Sequence, residues 1–80
     1  MHELGVLHQV IKAANRIAEE NQIRRIRHIT LEVGDVSGFV PQYLTKLFPV
    51  AADGSPVLKR AKLRIENVQG RGLTIKEIGY

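Results

Sequence analysis

Leu4, Leu7, Ile11, Ala14 and Ala18 recur at three- and four-residue intervals, and Val10 and Ile17 widen the stripe. That spacing predicts an amphipathic helix from about residue 4 to residue 21, with Asn21 as its end marker. Glu19 and Glu20 sit unfavourably for the helix dipole, so the tail is expected to fray or to be compensated by the arginines that follow. Over residues 26 to 33 the period changes to two. Ile29, Leu31 and Val33 form a core face and Ile26, His28, Thr30 and Glu32 the other, which reads as a strand.

Gly34-Asp35 and Ser37-Gly38 break that strand, and a second helix is expected from Pro41, a residue suited to a first helical turn. Leu44, Leu47, Phe48 and Ala51 supply its apolar side. Pro49 should kink or end it, because proline has no amide to donate and crowds the preceding turn. After the turn Asp53-Gly54-Ser55-Pro56, Leu63, Ile65 and Val68 alternate with Lys62, Arg64 and Glu66. Gly70-Arg71-Gly72 makes another turn. Leu73, Ile75 and Glu77 then alternate against Thr74, Lys76 and Ile78, so the last two segments read as an antiparallel pair. The expected fold is α+β and two-layered, in the order α-β-α-β-β. Two helices would pack on one face of a small three-stranded sheet.

Eighty residues, 44% of them hydrophobic, make one domain, residues 1–80, with enough apolar surface for a small core. No cysteine is present, which excludes disulfides, thiolate metal sites and thiol chemistry. No apolar run reaches membrane-spanning length and the start lacks a secretory pattern, so a cytoplasmic protein without a membrane role is expected. The net charge is +4, with the cations concentrated in Arg24, Arg25 and Arg27 and again in Lys59, Arg60, Lys62 and Arg64. These stretches lack the interleaved aromatics of a single-strand reader, which makes nucleic acid a poor partner. A solvated surface or a patch for an acidic partner both fit.

The candidate chemistry lies at the start. The amine of Met1, the amide nitrogen of His2 and the His2 imidazole can close two fused chelate rings around one ion. Amine and imidazole both offer lone pairs near neutral pH, and an amide gives up its proton only to a strongly polarising metal. A nitrogen-rich planar set favours nickel or copper. Glu3 adds a carboxylate oxygen or its own backbone nitrogen. His2 is large enough to keep Met1 from being trimmed, so the amine stays where the chelate needs it. The plainer reading is an ordinary chain start with a histidine in second place. His8, at the edge of the apolar stripe, is either a boundary residue or an auxiliary ligand. His28 suits a polar or helix-contacting role. No HExxH pair, nucleophilic triad or phosphate loop appears, so no enzyme is expected.

Met1-His2-Glu3-Leu4 ahead of an amphipathic helix, then Ile29-Thr30-Leu31-Glu32-Val33-Gly34 with Ser37-Gly38 before Pro41, resembles the HypA/HybF hydrogenase maturation proteins. Ala61 to Glu66 and Gly70 to Ile78 extend the resemblance over essentially the whole chain. It implies a nickel metallochaperone that holds nickel(II) through Met1, His2 and Glu3. The ion would pass towards the large subunit of nickel-iron hydrogenase, with a nickel-handling GTPase as partner and urease maturation as a further role in some members. It also implies two helices on a small sheet. One departure stands out. The family carries a zinc domain held by two CxxC pairs between the last two strands, and here only the short connection 69–72 occupies that place, so no structural zinc is expected. So short a connection also makes a homodimer by strand exchange conceivable. The alternative reading is a basic protein- or nucleic-acid-interaction module without a metal role, built on Arg24, Arg25, Arg27 and Lys62.

Overall fold

The computed structural model describes residues 2–80. Helix α1 (Glu3–Glu20) is followed by strand β1 (His28–Gly34), helix α2 (Pro41–Ala52), and strands β2 (Lys62–Val68) and β3 (Leu73–Gly79). The order α-β-α-β-β and the α+β class are as expected. The core joins Leu7, Val10, Ile11, Ala14 and Ala18 of α1 to Leu44, Phe48 and Ala52 of α2 and to Ile29, Leu31 and Val33 of β1. Leu58, fully buried in the loop after α2, closes it. Burying side chains of this size stabilises the fold by about 1.5–3 kcal/mol each.

The tail of α1 is terminated by its own backbone rather than by the arginines. The amides of Gln22 and Ile23 return to the carbonyls of Glu19 and Ala18, and the Asn21 amide and side chain both donate to the Ile17 carbonyl. Gln22 takes the left-handed conformation (φ 56°) that this ending requires. In α2 the helix does not stop at Pro49 but continues to Ala52. Pro49 is exposed, while Phe48 and Ala52 on either side of it are buried, so core packing holds the last turn despite the missing amide.

The strand order corrects the expected pairing. The sheet runs β2-β1-β3: β1 is central, parallel to β2 and antiparallel to β3, so the last two strands are not a hairpin. A strand–helix–strand passage places β2 beside β1 in parallel, the usual result of a helical crossover. The 69–72 connection then passes over the end of β1. Two strand spacings come to roughly 10 Å, within reach of four extended residues. It is bonded there on three sides: Gly34 donates to Gly72, Asp35 to Val68 and Val36 to Gly70. The Gly70 amide returns a bond to Asp35 Oδ1 at 3.0 Å. Gly34 has to be glycine, since a Cβ there would run into the Gly70 carbonyl.

One further alternation is corrected. The β1–β3 register shifts between Thr30 and Leu31, leaving Lys76 as an extra residue. The bulge resets the period, so Ile78 rather than Glu77 packs against the core.

Candidate metal centre

Helix α1 begins at Glu3, and His2 is its N-cap. The His2 carbonyl accepts the first helical bond, from the Val6 amide at 3.1 Å. Its side chain caps nothing and is exposed. The imidazole therefore stands clear of the fold while its own backbone is fixed to a rigid turn. Met1, the expected source of the amine, lies outside the described residues.

Glu3, expected to add a carboxylate oxygen or its own backbone nitrogen, turns its side chain into the fold. It is buried, with only 3% of its surface exposed, and its Oε2 accepts a hydrogen bond from the Val40 amide at 3.0 Å. Val40 is the N-cap of α2, so one carboxylate ties the starts of the two helices together. Its pKa is pulled down to about 2, first by the positive amino terminus and then by the amides of Val40 and of Glu3 itself. A carboxylate so engaged positions the chain start. Nothing local in the sequence marks this contact, which spans 37 positions. Leu4, the first residue of the stripe expected to be core, is exposed, as is Val40 itself.

The other two histidines are elsewhere. His8 is exposed on α1. His28 lies on the sheet face away from the helices, its ring occupying the space that a side chain at Gly79 would need. The His28 Nε2 is buried without a hydrogen-bond partner. Among the described residues no three histidine or acidic side chains converge on a metal position.

The family model described as "Hydrogenase/urease nickel incorporation, metallochaperone, hypA" matches residues 1–75. The chain belongs to the HypA family. It is 38% identical over 72 residues to the hydrogenase maturation factor HypA of Deinococcus radiodurans, covering 90% of this chain and 59% of that protein. The HypA of Geobacter metallireducens is also 38% identical over 72 residues, with 90% and 62% covered. The chain thus spans about three fifths of the length of these curated relatives. The solution structure of the nickel metallochaperone HypA from Helicobacter pylori superposes with a TM-score of 0.79 at 21% identity, covering 96% of this chain and 72% of that one. A second HypA solution structure superposes at 0.72 with 19% identity, covering 98% and 90%. At such identities the likeness speaks for the fold. No helix among the described residues is long and apolar enough to cross a membrane.

Proposed function

We propose that this chain is the nickel-carrying part of a HypA metallochaperone and holds nickel(II) at its start for delivery to nickel-iron hydrogenase, or to urease. The observation that carries the reading is the joining of the Met1-His2-Glu3 start to a family model that spans residues 1–75. Met1 supplies the amine, His2 its amide nitrogen and imidazole, and Glu3 its backbone nitrogen. The exposed, uncapped His2 side chain supports this assignment, as does the anchoring of Glu3 to Val40. A planar nitrogen set of this kind suits nickel. At an exposed chain end the ion leaves by protonation or stepwise ligand exchange, which fits transfer to a nickel-handling GTPase and onward to the hydrogenase large subunit. No turnover is assigned to the chain.

The 69–72 connection takes the place of the zinc domain that the family resemblance implies. Its bonds to residues 34–36 support a short closure within one chain. In a homodimer formed by strand exchange, β3 would make the same pairs with β1 of a second copy, and light scattering separates the two by mass.

Calorimetric titration of nickel into the wild type and His2→Ala tests the site. A loss of at least about tenfold in affinity, roughly 1.4 kcal/mol, is expected. A residue added before Met1 should have a similar effect, because it moves the amine away from His2. Equal affinities in all three proteins would remove the assignment.

A further inference from the structure

A basic groove lies at the far end of α1 from the chain start. Arg25, Ile26, Pro56, Val57, Lys59 and Arg60 surround a hollow of about 290 Å³. A second hollow of about 450 Å³ opens beside it and shares Arg25, Ile26 and Arg60, adding Arg27, Lys62 and Tyr80. Segments far apart in sequence are brought together here by the β1–β2 pairing and by bonds just outside it. The Ile26 amide donates to the Val57 carbonyl at 3.0 Å, and the Lys62 amide to the Arg27 carbonyl at 2.9 Å.

The charge is concentrated. Five of the chain's twelve Lys and Arg line this groove, and no aspartate or glutamate is among the residues lining the two hollows. Among the described residues none of the five has a carboxylate partner. Unpaired cations crowded together repel one another, so the patch gains from an anionic occupant. The lining is not purely polar, since exposed Pro56 and half-buried Val57 present apolar surface over the buried Ile26, and Tyr80 is exposed.

We propose that this groove binds an extended acidic segment of a partner protein, one in which aspartates or glutamates flank apolar side chains. Arginines take carboxylates in bidentate pairs, and the apolar part of the lining takes the residues between. A phosphate compound would use the cations and leave that part unfilled. A single-stranded nucleic acid would need a succession of aromatic platforms, and Tyr80 is the one aromatic residue in the lining. The binding goes beyond nickel holding and does not depend on it. α1 has 18 residues, or roughly 27 Å of helix at 1.5 Å per residue, so a partner docked here leaves the chain start uncovered.

The test is fluorescence anisotropy with the full chain and a short fluorescein-labelled peptide in which aspartates flank a leucine and a valine. Arg25→Glu/Arg60→Glu is expected to weaken binding at least about tenfold, and Lys59→Glu/Lys62→Glu to do the same. Lys12→Glu, a charge reversal on the exposed face of α1, should leave binding unchanged. Replacing the peptide's leucine and valine by serine should also weaken it several-fold, and affinity should fall with salt. Circular dichroism establishes that each variant is folded. Equal binding by the groove variants overturns the proposal. So does undiminished binding of the serine peptide, which would mark a general anion site for which tripolyphosphate competes. Tighter binding of a labelled single-stranded oligonucleotide would reassign the groove to nucleic acid.

Discussion

Glu3 links the chain start to the N-cap of a second helix, Val40, 37 positions later, through one bond to its amide. It sits in the first turn of α1, where the helix dipole favours negative charge. With a folded pKa of about 2 against an ordinary 4.5, its charged form is the one the fold prefers. The sign follows from linkage: the stabilisation is complete above about pH 4.5 and is lost as the pH falls towards 2. In chelator-containing buffer, Glu3→Gln should lower the melting midpoint by a few degrees at neutral pH, and the gap to wild type should close over that acid range. A gap independent of pH would assign the effect to shape rather than charge. Gln22 offers the opposite kind of change. Its left-handed φ of 56° is costly for any residue with a Cβ, and glycine adopts it freely. Gln22→Gly should raise stability by about 0.5–1 kcal/mol in urea titration, and no gain would mean that the side chain offsets its own strain. Asn21 was readable as the end of α1, but the left-handed position beside it was not, because glutamine carries no such signal.

At the scale of elements, the identities and faces of the helices and strands were largely written in the apolar spacing. Ile29, Leu31 and Val33 are buried as their alternation implied, and Leu44 and Phe48 face the core from α2. Periodicity records which way a side chain points and does not record which strand lies alongside. The glycines around Arg71 therefore suggested a hairpin, when the turn carries the chain over the end of β1 to its far edge. The trace of that crossing in the sequence is Gly34, which looked like an ordinary strand breaker and instead makes room for the Gly70 carbonyl. Gly34→Ala should cost about 1–3 kcal/mol, the range for overpacking, because the obstacle is backbone held by hydrogen bonds on both sides. Gly54→Ala, with open space around it, is the control and should change stability little. Comparable losses in the two variants would mean that the crossing does not constrain Gly34. The bulge at Lys76 leaves no mark in the sequence for a related reason: one extra residue inverts an alternation without altering composition.

Across the whole molecule, the chain start stands at one end of α1, with the ionised Glu3 beneath it, and the cationic groove lies beyond the other end. The chelating set proposed at that start could be named as a candidate because Met1, His2 and Glu3 are adjacent in sequence. The groove could not, because Arg25 and Arg60 meet only when β2 lies parallel to β1. The strand order on which that meeting depends has a direct solution signature. β1 is bonded to β2 on one side and to β3 on the other, so its amides should be protected in an unbroken run. β2 and β3 each have one open edge, and alternate amides there point to solvent. Hydrogen exchange followed by NMR should give continuous slow exchange across Ile29–Val33, limited by global unfolding, and a slow–fast alternation through Leu63–Asn67 and Thr74–Ile78. If β2 and β3 formed a hairpin with β1 at its edge, β1 would show the alternation. An alternating pattern in β1 would therefore overturn the central placement of β1, and with a hairpin in its place the groove would lose the pairing that assembles it.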